Sequence, residues 1–214
     1  MLRMGFSYVI ELDCFWRLAI ERYWLGDKRM TSFELSLRLA RPSDAAAIAH
    51  MSRDLIEYNL QWRWTPVRVA ASIRAPDVNV LIACTGGNIA GFAIMRYGDD
   101  NAHLDLLAVA ASYRRTGVGR QLLEWLERCA IVAGLSRIAL EVRAGNKGAQ
   151  RFYKRMGYRA LAELPGYYQG IETAIRMSRD LTHGTADPMV QRIQYTLPGF
   201  GIVELDPHSV LRNR

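Results

Sequence analysis

Long uninterrupted apolar runs, paired cysteines and clustered histidines are all missing from this chain of 214 residues. Its three cysteines, Cys14, Cys84 and Cys129, lie far apart with no Cys-x-x-Cys, which excludes a disulfide framework and a cysteine zinc site. His50, His103, His183 and His208 are scattered as well, so no metal is expected. No five consecutive Lys or Arg occur, and a dedicated nucleic-acid arm is not indicated. The N-terminal segment is apolar, yet Glu11, Asp13, Arg17 and Glu21 interrupt it. Neither a membrane span nor a clean signal segment is expected there, and the thiol pattern suits a reducing cytoplasm.

What the chain has instead is material for one core and an excess of positive charge. Hydrophobic residues make up 50%, and 28 Lys+Arg against 21 Asp+Glu leave a formal charge of +7. This fits one medium-sized globular domain with extensions. The charge suits an acidic ligand, a nucleic acid or an acidic partner without choosing among them. Residues 1–32 form an amphipathic extension, with Leu12, Phe15, Trp16, Ala19, Ile20 and Tyr23 at helical spacing and Met30 as an alternative start. Residues 33–182 form the compact domain. Residues 183–214 form a tail in which Ile193, Tyr195 and Leu197 alternate as a strand does.

Within the domain the patterns run β-α-α-β-β-β-α-β-α-β-β. Phe33, Leu35, Leu37 and Leu39 alternate, and "RPSD" then offers Ser43 or Asp44 as a cap for a helix to about Tyr58. Thr65-Pro66 predicts the cap and first residue of a second helix through Arg74. "TGGN" joins two strands over residues 79–97, and "AHLDLLAV" is a further strand. "RIALEV" reads as a buried strand, Asn146 as the cap of a helix over 147–156, and Gly157 as its end. Strand–helix–strand segments beside hairpins predict a mixed α/β fold with helices on the sheet faces.

The stretch "SYRRTGVGRQLL" (residues 112–123) packs two arginines and two glycines into the six residues 114–119 at a helix start. A dinucleotide fingerprint would need a third glycine where Leu122 stands, and a P-loop would need Gly-Lys-Ser/Thr. The reading left is a short glycine turn. There the amides of Gly117, Val118 and Gly119 face an anion, supplemented by Arg114, Arg115, Thr116 and Arg120. The bland alternative is a turn with solvated charges.

Arg114-x-x-Gly117-x-Gly119, placed after "LLAVAASY", resembles the acetyl-CoA motif of the GNAT superfamily (Gcn5-related N-acetyltransferases). "LEVRAGNKGAQRFYKRMGYR" is similar to that superfamily's second cofactor-binding block. The resemblance covers residues 35–182. It implies a mostly antiparallel sheet with helices on both faces, splayed between the fourth and fifth strands. Within the superfamily the chain looks most like RimI-type N-terminal protein acetyltransferases, which share "LEVR", the Asn, the Tyr seven residues later and the pair Tyr167-Tyr168. It departs from them in "QGIETAIRM", which stands in place of an acidic stretch.

The resemblance implies acetyl-CoA as co-substrate, no metal, and a monomer or homodimer. Leu107, Ala108 and Val109 would hold the pantetheine arm in the splay, with the Val109 amide polarising the carbonyl. Asn146 would bond the same arm besides capping its helix. Glu141, a carboxylate inside an apolar strand, would be the general base; the alternative is a rim carboxylate paired to Arg143 or another basic residue. Tyr153 would be the general acid, or else an aromatic at the stripe edge. Tyr58, Trp62 and Trp64, with Tyr167 and Tyr168, would flank the acceptor entrance, or the loop aromatics would pack on the core. His103 and Asp105 share a strand face and read as polar residues at the rim; the alternative is that they line the acceptor cleft or assist deprotonation. The expected acceptor is a protein or peptide N-terminal α-amine. A small amine, or a non-catalytic acyl-CoA- or nucleic-acid-binding module, are the alternatives.

Overall fold

The computed structural model describes residues 35–182, together with the backbone of two short strands at 195–197 and 200–203. The expected helix in residues 1–32, the alternative start at Met30 and most of the tail lie outside the described residues. Strands and helices succeed one another in the order that the patterns predict. They are β1 (Ser36–Leu39), α1 (Ala45–Leu55), α2 (Pro66–Arg74), β2 (Val78–Thr85), β3 (Asn88–Tyr97), β4 (Asn101–Val109), α3 (Val118–Val132), β5 (Arg137–Arg143), α4 (Lys147–Arg155), β6 (Arg159–Tyr168) and β7 (Glu172–Asp180). In the tail, β8 (Tyr195–Leu197) and β9 (Phe200–Val203) pair in a separate two-stranded sheet. Among the described residues no helix is long and apolar enough to cross a membrane.

Local signals place the boundaries. Thr65 Oγ1 accepts from the Arg68 amide and Pro66 opens α2. Asn146 Oδ1 accepts from the Ala149 amide at the start of α4. Gly86 and Gly87, both at positive φ, form the tight β2–β3 turn. Two boundaries differ from expectation. Asp44 accepts from the Arg41 amide and pairs with Arg38 instead of capping α1 through its side chain. α1 stops at Leu55, short of Tyr58, because the Glu57 carboxylate gathers Ser52 Oγ and the amides of Arg63 and Trp64, folding the chain back.

The main sheet has seven strands in the order β1-β2-β3-β4-β5-β7-β6. Only the β4–β5 contact within it is parallel. Leu122, Leu123 and Leu126 of α3 and Tyr153 of α4 pack on one face with Leu81, Met95, Leu104, Ile138 and Leu140. On the other face, Ile48 and Ala49 of α1 and Val69 of α2 pack with Ile82, Phe92, Ile94 and Leu106. β2 and β3 therefore bury both faces, which explains their nearly unbroken apolar runs.

Two irregularities open this sheet near its centre. In β4, Leu104 pairs with Met95 and Leu106 with Ile94, so Asp105 is an extra residue, a β-bulge. The bulge switches the faces: Ala102 and Leu104 pack on the α3 side before it, and Leu107 and Val109 do so after it. Pairing of β4 with β5 then runs only from Asn101–Arg137 to Leu104–Leu140, and the strands part beyond. β3 and β4 also close up at Gly91, where a Cβ would lie 2.8 Å from the Ala108 carbonyl oxygen and 3.1 Å from Val118 Cγ1. Gly91→Ala is expected to lower stability by about 1–3 kcal/mol through overpacking between β3, β4 and α3, as measured by urea denaturation.

Candidate active site

The gap between the parted strands has an anion-receptive end. Gly117 has φ 92°, a left-handed conformation that glycine adopts without strain, and stands at the N-cap of α3. The first helical bond runs from the Gln121 amide to the Gly117 carbonyl. The amides of Val118, Gly119 and Arg120 precede it and have no acceptor within the helix. A Cβ on Gly119 would touch Val109, Leu107 and Phe152 at 3.4–3.7 Å, so this helix start lies directly against β4 and α4. Arg114 Nε donates to the Val109 carbonyl, Thr116 Oγ1 donates to the Tyr113 carbonyl, and Arg120 pairs with Glu124. Arg115 holds the turn at φ 68°.

The phase of the β4 ladder decides which amides face the gap. The Ala110 amide donates to the Ala90 carbonyl of β3. Alternation then turns the amide of Ala108 to β3 as well, and those of Leu107 and Val109 away from it. Two of the three expected backbone contacts are thus presented to the gap, while the Ala108 amide serves the sheet.

At the other side of the gap stands Glu141, the first β5 residue past the last β4 partner. Its side chain is only 6% exposed and accepts three hydrogen bonds. The donors are His103 Nε2 at 2.8 Å, Arg176 Nε at 2.8 Å and the Tyr167 hydroxyl at 3.2 Å. Chiefly through His103, against the opposing effect of burial, they hold its carboxyl down at about 2. His103 Nδ1 lies 2.8 Å from Asp105 Oδ1, and Asp105 is also held by Arg96. Asp105 first, then Glu141, push the His103 imidazole up to about 9. The basic partners of Glu141 are therefore His103 and Arg176. Arg143 points elsewhere, and His103 is a member of the cluster that rim placement on its strand did not foretell.

Arg143 is buried and fastens three segments together. Nη1 donates to Glu172, and Nη2 donates to the carbonyls of Ile56 and Tyr58 in the loop after α1. The guanidinium sits 4.3 Å from the Tyr58 ring centroid and 5.6 Å from that of Tyr168. Above, the Gln169 side-chain amide both accepts from the Gln61 amide and donates to the Gln61 carbonyl. The loop after α1 and the β6–β7 turn are thereby latched together. Tyr58, Tyr167 and Tyr168 converge on Arg143 and Glu141. Trp62 and Trp64 pack against the α1–α2 side of the core, with Arg53 and Arg68 over their rings. Gln61 and Gln169 carried no signal in the sequence beyond their polarity, and Arg143 was expected only within "LEVR" and as a partner for Glu141.

Tyr153 is buried in α4 against Phe152 and Tyr158. Burial raises its phenol well above the usual range, so the hydroxyl stays protonated. A groove of about 400 Å³ runs between α4 and β6, past Lys147, Lys154 and Leu161. Its lining includes Ile175 and Met177, which lie on the opposite sheet face from Arg176 and Glu141.

Comparison with known proteins places this arrangement. The sequence profile of the acetyltransferase (GNAT) family matches residues 45–158, more than half of the chain. The chain belongs to the GNAT family. An uncharacterized N-acetyltransferase from Methanocaldococcus jannaschii is 40% identical over 97 residues, which is 45% of this chain and 62% of that protein. The [ribosomal protein bS18]-alanine N-acetyltransferase of Escherichia coli is 38% identical over 95 residues, 43% of this chain and 64% of that one. The chain thus spans a little under two thirds of the length of these curated relatives. A crystal structure of the ribosomal-protein-S18-alanine N-acetyltransferase from Escherichia coli has a TM-score of 0.61 and 27% identity, covering 69% of this chain and 94% of that one. Arabidopsis thaliana NAA60 in complex with acetyl-CoA shares the GNAT fold at TM-score 0.61 and 19% identity, over 69% of this chain and 99% of that one.

The raised imidazole ties stability to pH. The folded protein holds the His103 proton more tightly than the unfolded chain, so this stabilisation is complete below about 6.5 and is lost as pH rises through about 9. Urea midpoints taken from pH 6.5 to 10 should fall in the wild type, and His103→Gln should remove that component of the fall.

Proposed function

We propose that this GNAT domain is an acetyl-CoA-dependent N-acetyltransferase whose acceptor is a protein or peptide N-terminal α-amine. The observation that carries the reading is the gap between β4 and β5, with uncommitted helix amides at one end and a buried carboxylate at the other. The amides of Val118, Gly119 and Arg120 fit a pyrophosphate, aided by the helix dipole. The outward amides of Leu107 and Val109 fit the amide chain of a pantetheine arm, and Asn146 stands at the start of the neighbouring helix. Acetyl-CoA brings the activated acetyl group. In this reading the Val109 amide polarises the thioester carbonyl. Tyr153, kept neutral by burial, donates a proton to the departing thiolate. Glu141 draws the ammonium of the acceptor into the cleft.

The acceptor assignment rests on the mouth of the cleft. A small polycation would call for several free carboxylates there. Glu57 is occupied by Ser52 and two loop amides, Glu172 by Arg143, and Glu163 lines the α4–β6 groove on the other sheet face. Tyr58, Tyr167 and Tyr168 instead offer aromatic faces and hydroxyls suited to a peptide backbone. Names of relatives that act on a ribosomal-protein alanine agree with this choice.

The test is turnover of acetyl-CoA on a panel of N-terminal peptides and small amines. Turnover is expected on peptides with a free α-amine and is expected to be lost on N-formylated controls. Tyr153→Phe and Glu141→Gln should each reduce kcat by about 10²–10⁴-fold. Peptide turnover unchanged in both variants would sink the assigned roles.

A further inference from the structure

An amine attacks only after its ammonium has lost a proton, and the acceptor of that proton works best when its affinity is comparable. Glu141 does not meet this condition. Its three donors hold it at about 2, whereas an α-ammonium has a pKa of about 8. Transfer from an ammonium to a carboxyl held so low is uphill. His103 stands beside it in a different situation. Its imidazole lies in line between two carboxylates, with Nδ1 2.8 Å from Asp105 and Nε2 2.8 Å from Glu141. Asp105 is the bulge residue of β4, and Arg96, the cross-strand partner of His103 on β3, clamps it. The ring is 36% exposed, so it exchanges protons with water.

We propose that His103 is the group that removes the proton from the attacking amine, with Asp105 fixing its tautomer and Glu141 guiding the ammonium to its Nε2. This rests on the acetyltransferase reading. In the neutral ring Nδ1–H stays on Asp105, and the Nε2 lone pair faces Glu141. The ammonium approaches from beside the Nε2–Glu141 contact and donates one N–H to each. The N–H bond to Nε2 breaks, its electron pair remains on the amine nitrogen, and the proton bonds to Nε2. The freed pair then attacks the acetyl carbonyl and forms the C–N bond; the C–S bond breaks with its electron pair on sulfur, the thiolate takes the Tyr153 proton, and the second proton of the nitrogen passes through water to the Tyr153 phenolate. The imidazolium returns to its contact with both carboxylates and passes its proton to water before the next turnover. Charged and titratable groups face this centre from every neighbouring strand: Arg96 from β3, Asp105 from its own β4, Glu141 from β5, Tyr167 from β6 and Arg176 from β7. The two carboxylates dominate and hold the ring up at about 9, so the competent neutral fraction grows as pH rises.

Two measurements on the full chain test this. In the first, kcat is read from pH 6 to 10 at saturating acetyl-CoA and peptide. It should climb about tenfold per pH unit and level near pH 9 in the wild type. Asp105→Asn, which removes one carboxylate, should move that midpoint down by about one to three pH units. His103→Gln should abolish the limb and lower kcat at pH 9 by about 10²–10⁴-fold. A His103→Gln enzyme that keeps the same limb with kcat within about threefold would overturn the proposal. In the second, NMR follows the imidazole Cε1–H of His103 in the free protein, assigned by its absence in His103→Gln. A midpoint near 9 that drops in Asp105→Asn upholds the paired imidazole. A midpoint near the ordinary value of about 6.5 that Asp105→Asn leaves in place overturns it. The NMR arm needs no turnover, so it separates failure of this assignment from failure of the acetyltransferase reading.

Discussion

The parting of β4 from β5 after Leu104 and Leu140 is the constraint on which the rest of the site depends. A strand edge in the middle of a sheet leaves peptide groups without partners, and folded proteins rarely tolerate that unless something else occupies them. Here the bulge at Asp105 turns β4 away, and the start of α3 fills one side of the opening. The amides that a continuous ladder would have used are thereby collected around one cavity. Backbone amides are left open to a ligand because sheet pairing has been withheld, and the seven-stranded frame on either side holds the opening in place.

The same opening concentrates charge. Glu141 and His103 sit where the ladder ends, and Arg176 faces Glu141 directly across the β5–β7 pairing. Such a cluster is poorly solvated and must be internally neutralised. Its members consequently have protonation properties set by one another. A carboxylate surrounded by three donors is held deprotonated, and the imidazole beside it keeps its proton more tightly than a free one.

Much of the framework was legible because it is written in short-range chemistry. Thr65-Pro66, Asn146, the Gly86-Gly87 turn and the Gly117 turn all act within four residues of themselves, and each appears where the sequence places it. The resemblance carried by residues 114–119 and 140–159 extended this to the topology. What could not be read are contacts across large separations. Arg143 reaches carbonyls 85 and 87 residues away, Gln169 reaches Gln61 across 108, and His103 reaches Glu141 across 38. No periodicity encodes those pairings. The bulge at Asp105 hid them further, since strict alternation in β4 assigns Leu107 and Val109 to the wrong face.

The latch between Gln169 and Gln61 consists of two exposed hydrogen bonds. Together they contribute about 1–3 kcal/mol net. At that strength roughly one molecule in a hundred to one in six would have the latch undone at any moment. Loop motions of this kind take nanoseconds to microseconds, far less than the roughly 0.1 s of an ordinary enzymatic cycle. Two contacts so weak hold the loop after α1 and the β6–β7 turn together most of the time and let them part briefly and often.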